Sequence, residues 1–182
     1  MNLIDPQTGF DPKEKYPFVC GRILSFNLIN KKIELIIKEK IINCKDKRIK
    51  QICNLHAKRT DWHLEETNLP EINVIISSIL DVAQKISPGE FIFKVSSMWG
   101  AVYEKNSYVR DHDHFGNVWS FVYTVKTFDD APALCFTASN KEIKLNEGDF
   151  IIFPSWVNHH VKNQEHDLER IIIAGNIQCS KI

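Results

Sequence analysis

The sequence predicts an α+β fold in which helices gathered in the first half back a β-rich second half. Up to about residue 90, apolar residues recur at helical spacing. Beyond it, short runs rich in Phe, Ile, Val, Tyr and Trp alternate with turn residues. The 182 residues are 43% hydrophobic, with no internal repeat and no Gly/Ser or Pro tract to divide them. Residues 1–182 therefore read as a single domain, with 1–89 as mostly helical support and 90–178 as the β core.

The elements follow in order. Phe18 to Phe26 reads as a strand ahead of the helices. Leu28, Ile29, Ile33, Ile36, Ile37 and Ile41 recur at helical spacing between lysines and glutamates, and a weaker helical pattern runs through Ile49, Ile52, Cys53 and Leu55. The clearest helix starts at Asn68-Leu69-Pro70 and presents Ile72, Ile75, Ile76, Ile79, Leu80, Ala83 and Ile86. It stops at Ser87-Pro88-Gly89. Its wide apolar face needs a flat surface to cover. Strands are expected near 91–95, 97–103, 118–127, 133–138, 149–153, 157–162 and 169–177, with a turn at Asn146-Glu147-Gly148-Asp149. So many short strands favour a two-sheet jelly roll.

The 23 basic and 23 acidic side chains cancel. That removes the long-range attraction on which non-specific nucleic-acid or anionic-membrane binding depends. No apolar run approaches the ~20 residues that cross a bilayer, and Met1-Asn2-Leu3-Ile4-Asp5-Pro6 lacks the pattern of a signal peptide, so a cytoplasmic location is expected. Five dispersed cysteines without a C-x-x-C pair suggest reduced, mostly buried thiols rather than a disulfide framework or a cysteine zinc site.

Strand alternation sorts the last run into two faces. Ile171, Ile173, Gly175 and Ile177 share one, suited to helix packing, while Arg170, Ile172, Ala174 and Asn176 share the other. A charge, an amide and a small residue make a poor sheet-to-sheet core and a reasonable wall for a cavity holding a polar, anionic ligand.

The histidines carry the strongest chemical signal. In an extended segment His112 and His114 point the same way, a bidentate pair for iron or zinc, with Asp113 facing elsewhere. The plainer reading is two polar loop residues at a strand end. Within 157–162, His159 shares the inward face with Val157 and Val161, whereas His160 lies opposite with Asn158 and Lys162. His159 is then either a ligand or a hydrogen-bonded core histidine. Arg170, on the next strand, either forms a surface ion pair with Glu165, Asp167 or Glu169, or faces the cavity and binds a carboxylate bidentately.

Several segments together resemble one family. These are Met98-Trp99-Gly100-Ala101-Val102-Tyr103, then His112-Asp113-His114-Phe115 with Val118-Trp119-Ser120-Phe121-Val122-Tyr123, then Gly148 to Trp156 leading to His159, and Glu169-Arg170-Ile171-Ile172-Ile173-Ala174-Gly175-Asn176. Over roughly residues 90–177 the chain resembles the iron(II)- and 2-oxoglutarate-dependent oxygenases. Within them it looks like the small members related to prolyl hydroxylases, common in bacteria and marine bacterial viruses. Arg59-Thr60-Asp61-Trp62-His63 also looks like a segment such proteins carry.

The resemblance implies a double-stranded β-helix with Fe(II) held by His112, His114 and His159, and the distal carboxylate of 2-oxoglutarate held by Arg170. It places Tyr103 beside the cosubstrate, with Tyr123 and Asn176 as further candidates for the same pocket. It also implies decarboxylation to succinate and CO2 coupled to hydroxylation of a substrate C–H bond, in the cytoplasm of a bacterium or a virus-infected host cell. The chain departs from the family's pattern in three places. His114 stands where the triad usually has an aspartate, which leaves Asp113 as an alternative ligand. Asn106 stands where relatives often have a turn glycine, and Ile172 replaces a hydroxyl residue. Two other functions stay open at this point: a three-histidine dioxygenase or hydrolase that does not use 2-oxoglutarate, and a non-catalytic jelly-roll module binding a small anion or sugar. A protein prolyl side chain, a nucleobase and a small metabolite are all admissible substrates.

Overall fold

Ile29, Ile33 and Ile37 are spaced to fall on one side of a helix, and α1 (Phe26–Asn43) buries all three. The structure, a computed structural model, describes residues 3–11, 16–44, 54–87 and 89–181. The second expected helix is α2 (Pro70–Ile86), with Pro70 in its first turn and Ile72, Ile75, Ile79 and Val82 buried. The weaker helical pattern around Ile49 and Ile52 lies outside the described residues, except that Leu55 begins a strand.

The strands are β1 (Leu3–Asp11), β2 (Tyr16–Ile23), β3 (Leu55–His56), β4 (Lys58–Arg59), β5 (Phe91–Tyr103), β6 (Tyr108–His112), β7 (Trp119–Lys126), β8 (Leu134–Phe136), β9 (Lys141–Ile143), β10 (Asp149–Pro154), β11 (His159–Val161) and β12 (Arg170–Lys181). They form two antiparallel sheets, a larger one in the order β1-β2-β10-β7-β12-β5-β4 and a smaller one in the order β3-β6-β11-β8-β9. This is the jelly-roll, double-stranded β-helix architecture, backed on one side by the two helices.

The first half differs from its expectation. It supplies the two helices but also β1 to β4, and β2 occupies most of the stretch expected as a strand from Phe18 to Phe26. Pro6, which donates no ladder hydrogen bond, falls in a register irregularity between Ile4 and Gln7 on the edge strand, where proline is tolerated. The segments 91–95 and 97–103 are one strand, β5, with Ser96 as an extra residue opposite the step from Asn176 to Ile177.

Two cores result. One lies between the helices and the larger sheet, with Ile33, Ile37, Ile75 and Ile79 against Phe121, Phe150, Ile171 and Ile173. The other lies between the sheets and holds Trp99, Tyr103, Leu134, Phe136, Phe153 and Ile172. Alternation along β12 places Ile171 and Ile173 in the first and Ile172 and Ala174 in the second, as the sequence pattern predicts. At Gly100 a Cβ atom would sit 2.6 Å from the Ile37 side chain, so glycine is what lets α1 lie close on β5. The four described cysteines are unpaired; Cys135 is buried, Cys20 and Cys44 half-buried and Cys179 exposed, so the thiols are less buried than expected.

Candidate metal and cosubstrate site

His159 on β11 and His112 on β6 are direct partners across the smaller sheet. The next pair in this ladder is Val161 with Val109, so β6 carries one extra residue between Val109 and His112. Simple alternation would put Val109 and His112, three apart, on opposite faces. The bulge turns both toward the space between the sheets, where both line the cavity. His114 follows the strand end. Its N–H donates to the Ser155 carbonyl at 2.7 Å, and its own carbonyl accepts from the Asn117 backbone and side-chain amides, each at 3.2 Å.

The three imidazoles converge. Ring centres are 4.3 Å apart for His112 and His159, 4.8 Å for His112 and His114, and 5.2 Å for His114 and His159. One nitrogen from each lies within 4.8 Å of the others. The Nδ1 of His112 lies 2.8 Å from the Arg110 carbonyl, and that of His159 lies 2.8 Å from the Val157 carbonyl. A carbonyl only accepts, so Nδ1 carries the proton in both rings and Nε2 keeps its lone pair, the tautomer a metal ligand needs. Burial lowers the pKa of all three, that of His114 to about 4 and that of His159 well below the ordinary imidazole value. The rings are therefore neutral donors near pH 7.

Asp113 does not join them. It is exposed, its Oδ1 accepts the Phe115 N–H at 3.0 Å, and the convergent donor set is the three histidines without it. His160 lies on the other face with its Nδ1 2.9 Å from the Thr137 hydroxyl, so the inward assignment of His159 follows the predicted register.

Arg170 opens β12 opposite Tyr103 on β5. It is 5% exposed, and its Nη1 is buried without a hydrogen-bond partner. The surface-pair alternative does not hold: Arg170 is buried and makes no ion pair with Glu165, Asp167 or Glu169, of which Glu169 pairs with Lys38 and Lys126, and Asp167 with Lys105. The guanidinium carbon lies 5.1 Å from the centre of the Tyr103 ring. Burial pulls its pKa below the ordinary guanidinium value, while Tyr103 acts in the opposite direction.

The cavity joining Arg170 to the histidines is narrow, about 50 Å³ for the centres of water-sized molecules, and is walled by Trp99, Phe153, Val161 and Ile172. His112 and His114 also border a separate cleft of about 410 Å³, together with Trp62, Ser97, Trp99 and Asn176.

The structure corrects one expected pocket residue and shifts another. Tyr123 faces the helices; its hydroxyl donates to Asn30 Oδ1 at 2.6 Å, and its neighbours Ser120 and Val122 line the cavity instead. Asn176 borders the outer cleft, where its amide ties the Ser120 and Ser97 hydroxyls together at 2.8 and 3.1 Å. Asn106 takes a positive φ of 68°, as a replacement for a turn glycine must. Sequence reasoning missed Gln164, which is fully buried and donates to the Tyr103 and Leu168 carbonyls at 3.2 and 2.6 Å. It thereby ties the end of β5 to the segment that leads into Arg170, and a lone glutamine in a polar stretch gives no signal of that role.

No protein-family model matches the sequence, and no curated protein does. Solved structures do match. A viral collagen prolyl hydroxylase from Paramecium Bursaria Chlorella virus-1, in complex with 2-oxoglutarate, superposes with a TM-score of 0.62 at 14% identity, over 83% of this chain and 90% of that one. A prolyl-4-hydroxylase from Pseudomonas putida gives 0.60 at 13% identity, over 97% and 92%. An oxidoreductase of the 2OG-Fe(II) oxygenase family from Burkholderia pseudomallei gives 0.52 at 13% identity, over 61% and 59%. At such identities the likeness is one of fold.

Proposed function

We propose, starting from the fold this chain shares with the 2-oxoglutarate- and iron(II)-dependent oxygenases, that it is an oxygenase using Fe(II) and 2-oxoglutarate to hydroxylate a substrate. The observation that carries this reading is Arg170. A buried guanidinium with an unpartnered Nη1, in the same cavity as three convergent imidazoles, costs free energy unless an anion completes it. A carboxylate fits its planar fork. The donor set fits a metal that accepts imidazole, with His112, His114 and His159 as the holding residues. Both features fit the pair of groups named in the fold's relatives, and the arginine favours this function over a metal site that uses no 2-oxoglutarate.

Iron(II) and 2-oxoglutarate together supply the activation of O2 and the oxidising power for C–H hydroxylation, with release of succinate and CO2. The chain's own residues do the rest. The carbonyls of Arg110 and Val157 fix the tautomer of His112 and His159, so that Nε2 faces the centre of the triad. Arg170 anchors the far end of the cosubstrate, and Tyr103 holds the guanidinium plane from one side. Ile172, on the same face, adds an apolar wall and no hydroxyl. Trp99 and Phe153, packed near His114 and His159 with ring centres at 5.9 and 4.9 Å, limit the entry of water. Three imidazoles leave a bound divalent ion with more net positive charge than two imidazoles and a carboxylate would.

The test is succinate formation by anaerobically purified protein supplied with Fe(II), 2-oxoglutarate, ascorbate as the two-electron reductant in place of a substrate C–H bond, and then O2. Succinate production that requires both Fe(II) and O2 supports the reading. Its absence, with the metal demonstrably bound, contradicts it.

A further inference from the structure

The outward side of α1 carries Leu28, Leu35 and Ile42, which are 77%, 69% and 83% exposed. Steps of seven residues drift by only about 20° on a straight helix, so the three side chains form one ridge, about 21 Å long. It lies away from Ile29, Ile33 and Ile37, which the larger sheet covers. Large aliphatic side chains in line on a solvent-facing helix mark an interaction surface more often than scattered ones do.

The ridge is symmetric in sequence, because Leu35 stands midway between Leu28 and Ile42. An antiparallel pairing of two copies about a two-fold axis therefore sets Leu35 against Leu35, and Leu28 against Ile42 twice, which is the self-complementarity an isologous contact requires. The charges beside the ridge agree with that orientation. Lys32 and Glu39 lie on the same flank, and the two-fold brings Glu39 of each copy level, to within one residue, with Lys32 of the other. Glu39 is exposed and makes no ion pair among the described residues, while Lys32 is 68% exposed in a surface pair with Glu71. The opposite flank brings Lys31 toward Lys38 of the other copy, whose charge Glu34 and Glu169 already neutralise. A parallel pairing would instead set Lys31 beside Lys32, and Glu39 beside the Lys38 that Glu34 and Glu169 already neutralise, which is the weaker arrangement.

We propose that this ridge is a homodimer interface, with α1 packed antiparallel on α1 of a second copy. One helix contact is small beside the ~800 Å² per partner of a standard interface, so the association is a weak one. It leaves the histidine cavity open, since α1 covers the opposite face of the larger sheet.

Sedimentation velocity of the full chain from about 1 to about 200 µM tests this. The expected result is a reversible shift from monomer to dimer with concentration. Leu35→Glu should stay monomeric at the highest concentration while its thermal melt matches the wild type, because the position is exposed. Glu39→Lys should weaken dimerisation by roughly fivefold or more, and adding Lys32→Glu in the same chain should restore it. A wild type that is monomeric throughout, as it would be if another protein normally covers the ridge, overturns the proposal. So does a dimer indifferent to Leu35→Glu.

Discussion

Arg170 and Tyr103 are direct partners across the β5–β12 ladder, with the guanidinium carbon 5.1 Å from the phenol ring centre, and both line the cavity that the three histidines close at its other end. The pairing holds a cation in place without neutralising it. Its charge has no acidic partner among the described residues, so substitutions here can separate the stability of the chain from the proposed ligand binding.

Arg170→Ala is expected to weaken 2-oxoglutarate binding by about 2–5 kcal/mol while leaving metal binding nearly intact, because one partner of a desolvated charge pair is removed. Arg170→Lys should restore only part of the affinity, since an ammonium lacks the planar fork. Arg170→Met should leave the ligand-free chain at least as stable as the wild type, because it removes an uncompensated buried charge, yet it should abolish the rise in melting temperature that 2-oxoglutarate gives. Calorimetric titration and thermal melts, each with and without 2-oxoglutarate, measure both effects. Equal affinity in wild type and Arg170→Ala would remove the arginine from the site.

Tyr123 predicts the reverse pattern. Its hydroxyl completes Asn30 Oδ1, while the Asn30 Nδ2 donates to the Val125 carbonyl at 2.7 Å. Tyr123→Phe leaves that oxygen buried without a donor, at a cost of about 1–3 kcal/mol in urea unfolding. The affinity for 2-oxoglutarate should not change, because the hydroxyl lies on the helix side of β7. A loss of affinity at unchanged stability would place Tyr123 back in the pocket.

Acid should weaken the join between α1 and the start of β12. Lys38 pairs with Glu34 at 2.8 Å and with Glu169 at 2.6 Å, and Lys126 adds a second cation to both. For Glu34 burial opposes ionisation, but its ion pairs outweigh it; for Glu169 the bond from Lys38 is the main cause; both pKa values fall. A carboxylate whose pKa is lower folded than unfolded contributes its stability fully above the unfolded value, about 4.3, and loses it as pH falls through the folded value. The stability difference between wild type and Lys38→Met should therefore be about 1 kcal/mol near pH 6 and shrink toward zero in more acid solution. A difference that does not vary with pH would mean that packing, not charge, carries the join.

The faces of β12 and β11 were legible in the sequence because alternation has a fixed period and both strands keep it through the residues that matter. The jelly roll was legible from the density of short strands. What stayed hidden has physical reasons. β3 and β4 are two residues long and carry no period, and the bulge that brings Val109 and His112 to one face breaks the alternation on which such readings depend. The family resemblance assigns Tyr123 to the pocket, although alternation along β7 puts it opposite Val122 and thus on the helix side. Asp113 next to two histidines looks like a ligand in one dimension, but its short side chain instead caps the turn to Phe115.

The proposed function rests on three imidazoles, His159 among them and His160 not, holding a metal. Titration of Fe(II) into anaerobic protein, followed by calorimetry, tests it most directly. One ion per chain is expected for the wild type and for His160→Ala, whose stability should change by about 1 kcal/mol or less, and no tight binding is expected for His159→Ala. Tight binding that survives His159→Ala but disappears in His160→Ala would contradict the site and the strand register beneath it.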